Sequence, residues 1–228
     1  MTGWEKKILQ AVRKVNPDDP IEYVRALVKE DARKKLDKKL KTCHLCTISD
    51  STRTVTYGNT DAPIFVLTDS VLPSQNDGAE CTYPLHNTKE WDLVRATFQF
   101  YDIDISKCFF MNAVNCYPYL KLEQEILCRI PNVQEKESCK AYLDLALDIV
   151  KPKFMIILGN VALNSFIKAN VDTIHGKLLD VRGVPTIATF SPQHLLRCQE
   201  QDEDAYECEK NIFFTDFEKI KDAVKEYL

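Results

Sequence analysis

The chain has 228 residues, with 30 Lys and Arg against 34 Asp and Glu, a formal charge of −4. Its 45% hydrophobic and 28% charged residues are those of a globular chain with a core of its own, which excludes wholesale disorder and any need for disulfide staples. The mild acidity excludes nucleic-acid binding through bulk positive charge, though not through a local basic groove.

The charge is unevenly spread. Residues 1–42 hold 12 Lys and Arg against 7 Asp and Glu, and the net over the remaining residues is −9. This basic segment reads as two helices. Trp4, Ile8, Ala11, Val12 and Val15 form one apolar stripe, and Pro17-Asp18-Asp19-Pro20 breaks it. Ile21, Val24, Leu27 and Val28 form a second stripe that runs on into Lys34-Lys35-Leu36-Asp37-Lys38-Lys39. These lysines suit a solvated helix face, or a face that contacts phosphates.

From Pro63 the pattern changes. Pro63 to Thr68 predicts a buried strand, Lys89 to Tyr101 an amphipathic helix and Lys107 to Val114 a strand. Gln134 to Val150 predicts a helix, Lys153 to Gly159 a strand ending at glycine, and Asn160 to Ala169 a helix. Val184 to Phe190 predicts a strand and Asn211 to Leu228 a terminal helix. Strands alternating with helices imply an α/β fold with a mainly parallel sheet. Ligands in such folds sit at the carboxyl ends of strands, so chemistry is expected in the loops after Leu67, Val114, Leu158 and Phe190.

Nine cysteines match no disulfide framework. The chain shows no secretory signal and no run of membrane-spanning length, so a reducing cytoplasm without membrane contact is expected. There, clustered cysteines point to metal, iron–sulfur or redox chemistry. Cys43-His44-Leu45-Cys46 admits an iron–sulfur cluster, structural zinc, a redox pair or coincidence. Two further ligands are needed. Cys116 follows a strand, Cys139 lies in a predicted helix, and Cys128 competes for the fourth place. Cys81, Cys108, Cys198 and Cys208 stand alone.

Five motifs in order carry a resemblance. They are the Cys43/Cys46 pair; Met111-Asn112-Ala113-Val114-Asn115-Cys116-Tyr117-Pro118; Pro131 to Glu135 with Cys139 to Leu143; Pro152-Lys153 through Ile156, Leu158-Gly159 and Ala162; and Gly183-Val184-Pro185 through Ser191-Pro192-Gln193-His194-Leu195-Leu196-Arg197. From about Thr42 to Phe217 the chain resembles the iron–sulfur uracil-DNA glycosylases, known as family 4, and the glycosylase-like domains of some phage DNA polymerases. The resemblance implies a three-layer α/β/α fold around a four-stranded, mainly parallel sheet. It divides the chain into a basic helical segment over 1–42 and a glycosylase-like domain over 43–228. It implies a 4Fe–4S cluster on Cys43, Cys46, Cys116 and Cys139, with zinc as the alternative. Its implied partners are DNA and a polymerase or other replication protein, in the cytoplasm of a prokaryote or a phage-infected host.

Cleaving a base from deoxyribose builds positive charge on the sugar and negative charge on the base, after the base has left the stack. By resemblance, Asp69 in Thr68-Asp69-Ser70-Val71-Leu72-Pro73 orients water; a loop acid capping a turn is the competing reading. Asn112 would pair with the edge of uracil, its amide offering both donor and acceptor. Tyr83 or His86 would stack on the base. Ser191 stands where the family has a histidine that stabilises the departing base, a change that typically costs about 10²–10³ in rate. His194 lies nearby. Leu195, Leu196 and Arg197 match the wedge that fills the gap in the duplex, or else form a helix turn with buried leucines. Residues 199–209 carry six acids directly after it, which is repulsive beside phosphates. The leading expectation is hydrolysis of uracil or another deaminated base from DNA. The second is a catalytically impaired DNA-binding or replisome-associated module, and a zinc-stabilised interaction domain ranks third.

Overall fold

The computed structural model describes residues 20–72, 82–123 and 125–228. The helix expected from Trp4 to Val15 and the stretch from Gly78 to Cys81 lie outside the described residues.

The architecture is three-layered, α/β/α. Its centre is four parallel strands in the order β3 (Cys108–Val114), β2 (Ile64–Ser70), β6 (Phe154–Leu158) and β8 (Val184–Thr189). Thr68 pairs with Asn112 on one side and with Leu158 on the other. Every residue of β3 and β6 is buried, as are the first five of β2. Helices cover both faces, so these strands read as unbroken apolar runs rather than alternating ones.

Two edge strands carry no clear signal in the sequence. β1 (Tyr57–Gly58) pairs antiparallel with β3, and β7 (Leu178–Val181) pairs antiparallel with β8. The turn between β7 and β8 places Arg182 and Gly183 at φ 57° and 79°, the left-handed pair that a two-residue hairpin requires. A second hairpin, β4 (Tyr119–Lys121) with β5 (Ile126–Cys128), fills the stretch between Cys116 and Cys139.

Helix α1 (Pro20–Lys41) and helix α3 (Val133–Val150) pack on each other. α3 starts at a capping box: Asn132 accepts the Glu135 N–H while the Glu135 carboxylate accepts the Asn132 N–H. Its buried face is Cys139, Leu143, Ala146, Leu147 and Val150, the spacing of one helical stripe. α2 (Lys89–Phe100) meets the long C-terminal helix through Phe98 and Phe217, with ring centroids 5.7 Å apart.

The helix expected over 160–169 is cut short. α4 is only Asn160–Leu163, and a further turn, α5, spans Val171–Ile174. Asn164 donates to the carbonyls of Asn160 and Ala169, and Asn160 accepts the Val171 N–H. These side-chain bonds replace the helical ladder. At the other end, α6 (Pro192–Gln201) is followed by α7 (Glu203–Val224), so the acidic stretch is helical and the terminal helix begins eight residues before Asn211. Asp202 caps α7 by accepting the Ala205 N–H, with Glu203 and Asp204 in the first turn. Acids are favoured there by the helix dipole. The wholly buried Asp216 fastens α7 to the sheet, accepting from Thr189 Oγ1 at 2.8 Å and lying 3.1 Å from His175 Nδ1.

Candidate active site and cysteine cluster

The parallel strands change direction of succession between β2 and β6. A crevice opens there at their carboxyl ends, where ligands bind in open α/β sheets. It is a cleft of about 210 Å³ lined by Asp69, Gly159, Phe190, Ser191, His194 and Arg197, with Arg129 and neighbours of the β4–β5 segment forming one wall.

Asp69 is placed by the end of β2. Its residue surface is partly open, but its carboxyl is enclosed. Oδ1 accepts the Ala162 N–H at 2.8 Å, and the Val161 N–H also points to the carboxylate. The acid therefore caps α4, a helix some ninety residues further on, rather than a turn of its own loop. Burial raises its pKa from 3.8 to about 7, against the two N–H donors that favour the anion. Gly159 completes the arrangement. A Cβ there would lie 2.2 Å from Asp69 Oδ2, and its φ of +109° suits glycine.

Across the cleft, Ser191 is the N-cap of α6, its Oγ accepting the His194 N–H at 3.2 Å. The hydroxyl proton stays free to be donated. The His194 ring stacks on Phe190, with centroids 5.5 Å apart. Arg197 Nη2 lies 3.0 Å from Nδ1, and Glu209 Oε2 lies 2.7 Å from Nε2. An arginine can only donate, so Nδ1 accepts and Nε2 carries the proton to Glu209. The acidic stretch thus reaches back to the cleft through Glu209.

Asp69, Ser191, His194 and Arg197 share this cleft; other expected site residues do not. Asn112 is wholly buried in β3, its amide carbonyl accepting from Thr68 Oγ1 and its NH₂ donating to Thr54 at 2.9 Å. Tyr83 stacks on Tyr57 at 4.4 Å and packs against His86 at 4.3 Å, beside Trp91 at the β1 edge. Leu195 is 2% exposed and belongs to the core, so it cannot enter a duplex without leaving that core; Leu196 is half-buried and Arg197 exposed.

The four proposed ligand cysteines converge from three segments. Cys43 and Cys46 sit in the loop after α1, Cys116 follows β3, and Cys139 lies in the second turn of α3. Cys116 and Cys139 share a small buried cluster with Ile48 and Val114, and Cys46 packs against it. Burial pushes the Cys116 thiol up to about 12 and the Cys139 thiol up to about 11, with the neighbouring cysteines adding to both. Thiolates crowded there need a cation to neutralise them. Cys128 is exposed on β5, in the cleft wall, apart from this group.

A single tetrahedral zinc would hold four sulfurs about 3.8 Å apart. Among the described residues, only a different group brings three His, Cys, Asp or Glu ligand atoms within 4.8 Å of one another. No three of these four sulfurs lie within 4.8 Å of one another, so the thiols as they stand do not form a closed zinc shell. Asn115 lies beside the Cys139 sulfur, with its backbone N–H and its buried side-chain amide both directed at it, so it would sit next to any group the thiols hold.

Arg53, which no sequence motif singles out, clasps the ligand loop. Its guanidinium donates to the carbonyls of Leu40, Lys41, Cys43 and Ser49. From the other side, Thr47 donates to the wholly buried Glu135. The Glu135 pKa is lowered: burial pushes it up, but Arg129, the Asn132 N–H and Thr47 outweigh burial. The two guanidinium nitrogens of Arg129 donate to its two oxygens at 2.8 and 2.6 Å. No local pattern marks Arg53, because its acceptors are carbonyls. Gly159 was visible only as a glycine at a strand end.

Asp69 and Ser191 thus line one cleft at the switch point of an α/β/α domain. The model of the uracil DNA glycosylase superfamily matches residues 55–215, and the chain belongs to that superfamily. It is similar to the Type-4 uracil-DNA glycosylase of Thermotoga maritima, 27% identical over 121 residues. That match covers 51% of this chain and 56% of the relative, so the chain spans little more than half the length of that protein. Among the described residues, no helix is long and apolar enough to cross a membrane.

Proposed function

We propose that the chain is a DNA glycosylase that removes uracil, or another deaminated base, from DNA flipped into the switch-point cleft. The observation that carries this is that Asp69 and Ser191 line one cleft in a chain of this superfamily, with burial raising the Asp69 carboxyl to about 7. A group with that pKa exchanges protons readily at neutral pH. In the proposed reaction the C1′–N1 electron pair leaves with the base while water adds to C1′, and the Asp69 carboxylate takes the proton of that water. Ser191 donates its hydroxyl proton toward the anionic base. The exposed Lys34, Lys35, Lys38 and Lys39 of α1 and Arg197 supply phosphate contacts. Residues 1–42 are then a basic segment and residues 43–228 the glycosylase-like domain.

Cys43, Cys46, Cys116 and Cys139 would hold a 4Fe–4S cluster with a structural role, tying the α1 loop to β3 and α3. Anaerobically purified protein should be brown and carry about four irons per chain; a colourless protein with one zinc refutes the cluster.

The activity is tested with labelled single- and double-stranded DNA carrying one uracil, followed by alkali. Cleavage at the uracil is expected, reduced about 10²-fold or more in Asp69→Asn. A second reading, DNA binding without catalysis, is favoured by one observation: the Asn112 amide is spent on Thr68 and Thr54. It predicts retained DNA and no abasic sites at stoichiometric protein.

A further inference from the structure

We infer that His194 Nε2, Cys198 Sγ and Glu209 Oε2 form a site for one zinc ion at the rim of the cleft, separate from the four clustered cysteines. The three ligand atoms lie within 4.8 Å of one another. Nε2 is 2.7 Å from Oε2, Sγ is 3.2 Å from Oε2, and Sγ is 3.7 Å from Nε2. With Zn–S of about 2.3 Å and Zn–N and Zn–O of about 2.0–2.1 Å, tetrahedral ligands stand roughly 3.3–3.6 Å apart. Two of the three separations are already close to that. Only the His194–Glu209 pair, now drawn together as a hydrogen bond, has to open, by about half an ångström.

The placement follows from the helices. His194 and Cys198 are four residues apart on α6 and so share one face. Glu209 comes from α7, which packs against α6. One nitrogen, one thiolate and one carboxylate suit zinc, whereas magnesium and calcium take oxygen alone. A thiolate and a carboxylate also neutralise the two positive charges of the ion. Water would complete the shell, since each ligand residue is half-buried and His194 lines the cleft.

Binding rearranges two protons. The Cys198 thiol gives its proton to solvent, and the imidazole proton moves from Nε2 to Nδ1 through solvent. Arg197, which now donates to Nδ1, must then swing away. It is exposed and free to do so. Zinc would thus pin α6, with Ser191 at its N-cap, to α7, and would release a guanidinium at the cleft rim. It also gives the Glu209 end of the acidic run a positive partner.

The test is anaerobic titration of the full chain with Co²⁺, read by visible absorption, and then displacement by Zn²⁺. Absorption from whatever group the clustered cysteines hold is common to all variants and cancels in difference spectra. Wild type should take up one more equivalent than Cys198→Ser, the difference carrying the sulfur-to-cobalt band of one thiolate. Glu209→Gln should weaken that equivalent at least tenfold. Arg197→Ala keeps all three ligands and removes the competitor for Nδ1, so it should tighten the site severalfold. Equal uptake and identical spectra in wild type and Cys198→Ser overturn the site. If Cys198→Ser does not fold by circular dichroism, binding unchanged in both Glu209→Gln and Arg197→Ala overturns it equally. None of these readouts depends on glycosylase activity.

Discussion

Replacing Asp69 with asparagine should stabilise the protein at neutral pH while removing its activity. In the folded chain burial holds the carboxyl at about 7, against 3.8 for an ordinary aspartate. Between those values the folded state keeps a proton that the unfolded chain has lost. Stability contributed by this group therefore falls as pH rises from about 4 to about 7 and is level beyond. At about 1.36 kcal/mol for each pH unit travelled between the two values, the integrated penalty from pH 5 to pH 8 is roughly 2–3 kcal/mol. Asparagine is close to isosteric and carries no charge, so it escapes that penalty. Its amide oxygen can still accept the Ala162 N–H. Urea unfolding of both proteins at pH 5 and pH 8 isolates the effect, because other groups contribute equally to each. The stability of Asp69→Asn relative to wild type should grow by roughly 2–3 kcal/mol over that range. In parallel, wild-type cleavage of uracil-DNA should rise about tenfold per pH unit below 7 and level off above it. A stability gap that does not change with pH would show that Asp69 ionises like an exposed acid, and the argument from burial would fail.

Gly159→Ala should collide with the Asp69 carboxylate and impose a side chain at φ +109°, costing roughly 1–3 kcal/mol. Its cleavage rate should fall with that of Asp69→Asn, and a wild-type rate would show that the carboxylate need not pack on residue 159. Ser191→Ala removes an N-cap, at about 1 kcal/mol in thermal or urea unfolding, and, as a lost donor, about 10²-fold or more in rate. Ser191→Thr keeps both functions, so a threonine variant as slow as alanine would count against the hydroxyl as donor. Arg53→Lys cannot span the four carbonyls that the guanidinium reaches. Anaerobic preparations should then lose iron faster on dilution, followed by absorbance; unchanged iron retention would reduce Arg53 to a surface clasp.

The α/β class and five of the strands and helices that build the centre were legible without coordinates. β2, β3, β6, β8 and α3 carry strong local signals: apolar runs of strand length, or a helical pattern from Gln134 to Val150. The resemblance named Cys43, Cys46, Cys116 and Cys139 together, and the structure packs Cys46, Cys116 and Cys139 around one small buried cluster. The edge strands β1 and β7 were not, because two to four residues of mixed polarity carry little periodicity. The short helix at Asn160 was overcalled because Asn164 and Asn160 bind backbone locally, a competition that residue propensity understates.

The sequence by itself determined which segments are buried on both faces, where the chain turns, and which acid, hydroxyl and thiols are available. Those properties are local, set by side-chain polarity and spacing along a few turns or residues. Only the tertiary structure decided which of these groups meet. It set Asp69 on the N–H groups of Val161 and Ala162, turned the Asn112 amide toward two threonines, buried Leu195, and brought Glu209 to His194. Each of those outcomes depends on contacts between segments tens of residues apart or on which face of a helix packs inward. Desolvation, which carries the Asp69 pKa to about 7, exists only once those segments have closed over the carboxyl.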